Sequence, residues 1–380
     1  MSKYAVGPRS VVRAVGVALA VALTLSGSTT FAQPTTMLRD APDLQHELQS
    51  ASAGLAHPQP VSTSTAATPL SVHGSSASAA SSRAPAPVRP ALSLGWGVVE
   101  ADWPGSAAGV AAAEATAGRK ANLIETYVHW GGGWGAFAQL RGGIVATLQR
   151  GSIPVISWMS DDPTGASLTA YDLRAIAAGS WDAYARSWAD GLRVLNTPVL
   201  LRFDAEMNGN WMTYSPGFSG NGSTSADFVA AWRHLHDIFR TEGATKVSWV
   251  WSPNVQYPGS LPLRALYPGN AYVDWVALDG YNWGTTYGHV WQSFAQVFDS
   301  SITAVEALTS RPLMIAESAS AEAGGDKASW VAGMFTELAN RRDIRGFIWF
   351  DLDKETDWRI ASDPASASAF RAGLGRFTTP

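Results

Sequence analysis

The chain has 380 residues, a formal net charge of −4, 46% hydrophobic and 15% charged residues, and no cysteine. Weak net charge speaks against nucleic acid, which selects a basic face. The missing cysteine excludes disulfides, thiolate metal sites and cysteine nucleophiles. The seven histidines are scattered, and no HExxH, Walker A or GxGxxG-plus-helix pattern occurs, so no metal or organic cofactor is expected. All 17 tryptophans lie between Trp96 and Trp358. That is more than a core needs, and it suits a cleft for flat ligands such as sugar rings.

Residues 1–32 read as a secretory signal peptide. Lys3, Arg9 and Arg13 supply the positive start, Ala14 to Leu25 the apolar run, and Thr30-Phe31-Ala32 the cleavage site. The apolar run falls short of the ~20 residues of a membrane span. A secreted chain is expected, with no stable membrane association once the signal is removed. Residues 33–92 are rich in Ser, Ala, Thr and Pro and contain no Phe, Trp or Tyr. Such a stretch cannot bury enough surface to offset ordering, and it is expected to be a disordered linker.

From residue 93 the pattern alternates strand and helix signals. Strands are predicted at Leu94–Val99, Ala121–His129, Ile153–Met159, Val199–Asp204, Lys246–Trp251, Val273–Leu278, Leu313–Ala316 and Gly346–Asp351. Helical periodicity falls on Gly109–Lys120, Ala136–Gln149, Leu173–Leu195, Ser225–Arg240 with Ser225 as cap, Val290–Leu308 and Lys327–Arg341, with a short piece at Leu261–Tyr267. Eight strands alternating with helices predict a (β/α)8 TIM barrel over residues 93–380. An open doubly wound sheet is the alternative, but no Gly-rich first turn is present.

Chemistry in such a barrel sits at the C-terminal strand ends. There the sequence places Glu100 and Asp102, His129 and Trp130, Asp161, Arg202, Glu206, Asn208 and Trp211, Asn254, Asp279, Tyr281 and Trp283, Glu317, and Trp349 and Asp351. The N-terminal ends show nothing comparable. Two apolar runs, in the strands Val199–Asp204 and Leu313–Ala316, lead into Glu206 and Glu317. Paired carboxylates on opposite strands are what glycosidic bond cleavage needs, one as acid and one as nucleophile or base. Alternation along the second strand turns Glu125 into the barrel, toward Arg202.

The segments Arg202-Phe-Asp-Ala-Glu206-Met-Asn-Gly-Asn-Trp211, Pro312-Leu-Met-Ile-Ala-Glu317, Trp249-Val-Trp251-Ser-Pro-Asn254 and Asp279-Gly-Tyr281-Asn-Trp283 resemble glycoside hydrolase family 26, the endo-β-mannanase family. The resemblance implies a retaining endo-β-glycanase with Glu206 as acid/base and Glu317 as nucleophile. It implies that Tyr281 orients the nucleophile, that Asp279 supports the centre, and that Trp211 and Trp349 contact sugar rings. His129, Trp283 and Asn208 complete the candidate substrate contacts. The sequence departs from the family at Ala205, where the family carries His. The implied substrate is β-1,4-mannan, with mixed-linkage β-glucan, β-1,3-xylan or an exported polysaccharide as alternatives. A catalytically weak carbohydrate-binding protein is the reading from another class. A monomer whose only partner is polysaccharide is expected.

Overall fold

In the computed structural model, which describes residues 92–131, 135–164 and 170–379, the chain forms a closed barrel of eight parallel strands. The expected signal peptide and linker lie outside the described residues, apart from Leu92. The strands are β1 (Gly95–Val99), β2 (Leu123–His129), β3 (Ile153–Met159), β4 (Val199–Phe203), β5 (Val247–Trp251), β6 (Trp275–Asn282), β7 (Leu313–Ser320) and β8 (Ile344–Phe350). Each pairs with the next, and β8 closes on β1 through Gly95↔Gly346 to Val99↔Phe350. This is the predicted (β/α)8 architecture. The two-residue strand Leu92–Ser93 pairs in parallel with Phe377–Thr378 beside the start of β1.

The apolar runs become strands because both faces are covered. Val155, Ile156, Trp158, Leu201 and Phe203 are all buried, some against the barrel interior and some against the surrounding helices. Those helices are α1 (Ala108–Ala117), α2 (Phe137–Gln149), α3 (Leu173–Ala177), α4 (Asp182–Leu195), α5 (Ser225–Thr241), α6 (Leu263–Leu266), α7 (Phe294–Glu306), α8 (Lys327–Asn340) and α9 (Pro364–Leu374). Tryptophan fills much of the space between layers. Trp158 packs on Trp188 and Phe239, and Trp232 packs on Trp249 and Phe203.

Several elements differ from expectation for local reasons. The single helix predicted over 173–195 is two, because Gly179 takes φ +91° after α3 and a new helix starts at Asp182. The cap of α5 is Thr224 and not Ser225. Its hydroxyl accepts the Asp227 amide at 3.2 Å while the Asp227 carboxylate accepts the Thr224 amide at 2.8 Å, a reciprocal capping box. Helix α9, started by Asp363 with Pro364 in its first turn, was not predicted. Strands β6 and β7 continue past Leu278 and Ala316. Beyond an irregularity between Leu278 and Asp279 the ladder resumes, with Asp279 opposite Glu317 and Tyr281 opposite Ala319. Glu317 therefore lies within its strand and not after it.

Gly97 in β1 has no room for a side chain. An added Cβ would meet Leu123 Cβ at 2.6 Å and Leu123 O at 2.8 Å. Gly97→Ala is expected to cost ~1–3 kcal/mol by overpacking, read as a lowered urea midpoint with unchanged slope.

Candidate active site

Arg202, on β4, is fully buried inside the barrel. Its Nη2 donates to Asp279 Oδ2 at 2.6 Å and to Ser252 Oγ at 3.1 Å. Its Nη1 donates to Glu317 Oε1 and to Ser157 Oγ, both at 3.0 Å, and to Glu125 Oε1. Strand pairing places these groups. Ser157 is the register partner of Arg202, and Asp279 is that of Glu317. The expected inward turn of Glu125 is found, with Ser157 Oγ donating to it at 2.6 Å.

Three carboxyl groups thus share one guanidinium where little water reaches. Burial works against a charged Arg202, but Asp279, Glu125 and Glu317 overcome it and hold its pKa above the ordinary value. Burial pushes Glu125 up to about 7, with Arg202 opposing and Glu317 adding to the rise. Asp279 is also pushed up, first by burial and then by Glu317, against Arg202.

Glu206 stands just beyond β4 on a turn whose Asp204 and Glu206 both have left-handed φ, +46° and +57°. Non-glycine residues adopt that conformation at a cost, and it persists only where surroundings fix it. Here Ser160 donates to the Asp204 carboxylate twice, from its amide and its hydroxyl, at 2.7 Å each. The Glu206 amide donates to Ser252 O at 2.8 Å, and the Gly209 amide to Glu206 O at 2.9 Å. The Glu206 carboxyl receives Trp211 Nε1 at 2.7 Å and Asn254 Nδ2 at 2.7 Å. Burial raises its pKa, the Glu317 charge raises it further, and these two donors oppose the rise.

Glu317 is bound differently. Tyr281 donates its hydroxyl to Oε2 at 2.7 Å, while Arg202 holds Oε1. One carboxyl therefore sits with neutral N–H donors and a raised pKa, the other with a cation and a phenol. Two carboxyls in surroundings this different are suited to different chemical roles.

The remaining candidates divide. Trp211 is 36% exposed and packs near Tyr257 at 5.6 Å, so it offers a face beside Glu206. Asn208 is buried, donates to Asn254 O at 2.9 Å and accepts the Asn254 amide at 2.9 Å. It fixes the residue that binds Glu206 and is not placed to touch sugar. Asp279 likewise supports Arg202 from a fully buried position. Trp283 is half-buried under His289, ring to ring at 5.3 Å and 19°. His129 bonds Asp161 at 2.6 Å and is partly exposed.

Trp349 corrects the expectation. It is fully buried, packs on Trp330 and Phe370 of the helix layer, and donates to Trp358 O at 2.9 Å. Strand alternation explains it, because Phe347 and Trp349 share the face that meets Phe370. Trp358 instead lies against Tyr281 at 5.1 Å. Sequence reading passes over Tyr127 and places Asn254 at the rim without giving it a role. Alternation along β2 puts Tyr127 on the same face as Glu125 and His129, and its buried hydroxyl has no protein partner.

Parallel barrel and acidic, aromatic rim together define a (β/α)8-barrel of the kind that cleaves glycosidic bonds. Residues 150–349, more than half of the chain, match the model of glycosyl hydrolase family 26. The chain belongs to that family. It is 36% identical over 262 residues to Endoglucanase H of Acetivibrio thermocellus, covering 68% of this chain and 28% of that protein. It is 35% identical over 108 residues to mannan endo-1,4-beta-mannosidase A and B of Caldalkalibacillus mannanilyticus, covering 27% of this chain and 20% of that protein. The chain thus spans less than a third of the length of either relative. Among solved structures, the catalytic domain of a GH26 endo-β-1,4-mannanase from Bacillus sp. JAMB-750 superposes with a TM-score of 0.55 at 16% identity. The match covers 75% of this chain and 86% of that one, a likeness of fold.

Two outcomes follow from the charges. Arg202→Met leaves buried carboxyls without their cation and is expected to cost about 3–5 kcal/mol. Their folded pKa values then lie above the unfolded ones, so the loss grows as pH rises. Unfolding in acid and at neutral pH checks this. At the rim between β1 and β8, Glu100 hydrogen-bonds Asp351, and burial with that neighbour raises its pKa from 4.5 to about 8. The stability it contributes is full below pH 4.5 and lost as pH rises to about 8. Glu100→Gln is expected to flatten that part of the stability–pH curve.

Proposed function

We propose that the chain is a secreted, retaining endo-β-glycanase that works by double displacement. The observation that carries this reading is the difference between the two glutamates. Glu206, with a raised pKa, protonates the leaving glycosidic oxygen as Glu317 attacks the anomeric carbon. The new bond joins Glu317 to the sugar, and the aglycone leaves with the proton of Glu206. Water then attacks the glycosyl ester, Glu206 takes its proton, and Glu317 is released as carboxylate. Arg202 and Tyr281 hold Glu317 in place through both steps. The second oxygen of Glu206 stays bonded throughout to either Trp211 or Asn254, which fixes its direction.

The proposed substrate is β-1,4-mannan, the activity named for the relative that is 35% identical over 108 residues. A second reading is β-glucan. Ala205 favours it, since it puts no hydrogen-bonding side chain where the mannanase-type sequence has His. The relative that matches over 262 residues is also named an endoglucanase. Both readings share the catalytic pair and differ in how the C2 hydroxyl of the attacked sugar is held.

The test is hydrolysis of a panel of mannan, mixed-linkage glucan, cellulose and xylan, with sizing of products and the anomeric configuration followed by NMR. Oligosaccharides released with retained configuration are expected. Activity on none of the panel, or inverted products, would sink the reading. Glu317→Ala is expected to lower kcat by on the order of 10⁴-fold or more. Glu206→Ala should lower it about 10²–10⁴-fold on polysaccharide while sparing aryl glycosides whose leaving group needs no proton. The wild-type rate should fall as pH rises through the raised pKa of Glu206, because the deprotonated acid has nothing to donate.

A further inference from the structure

The connection between β6 and α7 carries an aromatic side chain that the catalytic steps leave unused. Tyr287 is 76% exposed, and its φ of +54° lies in the left-handed region that bulky residues avoid. Such a conformation persists only where the surroundings enforce it. The turn is indeed fastened. The Thr285 amide donates to Ala323 O at 2.9 Å. Gly284 comes so near that an added Cβ would lie 1.8 Å from the same oxygen. Asn282 Oδ1 accepts the amides of Gly284 and Gln292 at 3.2 and 2.9 Å. The Thr286 amide closes onto Trp283 O at 3.0 Å, and the His289 amide onto Thr286 O at 3.1 Å.

This loop is joined to the nucleophile by ring contacts. Tyr281, bonded to Glu317, meets Trp283 at 6.2 Å, and Trp283 meets Tyr287 at 6.2 Å. His289 covers one face of Trp283, so Trp283 acts as a pedestal and Tyr287 is the ring most open to solvent. Residues 283–293 contain no Asp, Glu, Lys or Arg, which suits an uncharged ligand. The series Tyr281, Trp283, Tyr287 leads outward from Glu317 along the connection after β6.

The geometry points to Tyr287 as the stacking platform of a distal subsite, which takes a sugar of a neutral β-linked polysaccharide outside the two that flank the bond cleaved at Glu317. This rests on the catalytic reading given above. A fixed, exposed ring binds a sugar face without the ordering cost of a mobile loop.

The test compares the full chain with Tyr287→Ala and Tyr287→Phe on two probes. One is whichever of β-mannan or mixed-linkage β-glucan the wild type hydrolyses. The other is an aryl β-glycoside of the same sugar, which fills only the subsites next to Glu317. For Tyr287→Ala, KM on the polymer is expected to rise about fivefold to tenfold, the loss of one aromatic contact, with kcat held. The aryl glycoside should change less than about twofold, and Tyr287→Phe, which keeps the ring, should behave as wild type on both. An unchanged KM on polymer overturns the subsite, as does an equal loss on both probes. In those cases wild-type hydrolysis leaves the catalytic reading standing. A wild type that hydrolyses neither polymer removes both readings.

Discussion

The site depends on one buried guanidinium. Arg202 links strands β2, β3, β5, β6 and β7 through side chains that could not lie so close without it. At 4 Å two unit charges interact by roughly 4 kcal/mol even at an effective dielectric of 20. Three carboxyls packed without a cation would therefore protonate or force the strands apart. One cation does not neutralise three carboxylates, and burial together with the neighbouring carboxyls raises both Glu125 and Asp279 against the pull of Arg202. The charge states of Glu125 and Asp279 are thereby tied to the guanidinium that also holds Glu317.

A second constraint is backbone conformation. Two left-handed residues within three positions, Asp204 and Glu206, turn the chain sharply at the top of β4 and lift the Glu206 side chain over the rim. The turn is fixed by Ser160 from the β3 side and Ser252 from the β5 side, so neighbouring strands determine where the Glu206 carboxyl points. Asn208 and Asn254 then bond each other in both directions, which orients the amide that meets Glu206. Positioning of this quality comes from a chain of satisfied hydrogen bonds. Each buried member would be costly to leave unpaired.

Much of this was legible in the sequence, for definable reasons. Eight apolar runs separated by helical periodicity give the barrel, because a strand buried on both faces has few other sequences open to it. Glu206 and Glu317 stood out as carboxylates closing such runs, and Glu125 as a charge inside one. Trp349 was misjudged because a strand end alone does not tell which face a side chain takes. One step of alternation moved it from the rim to the helix layer. Asn254 and Ser252 are legible as rim residues, but their bonds to Glu206 and Arg202 are set by register between β5 and its neighbours, and no single segment shows that. The strain at Asp204, Glu206 and Tyr287 was equally invisible, since none of these residues is the glycine that would announce a positive φ.

The two glutamates, read alone, are interchangeable, and their surroundings make them differ. Glu206 is met by an indole and an amide, donors without charge that soften the effect of burial but do not cancel it. Glu317 is met by a guanidinium and a phenol. Any division of roles between them is therefore set by Arg202, Tyr281, Trp211 and Asn254. Variants of those four are where the chemistry of this barrel would be retuned without touching either carboxylate.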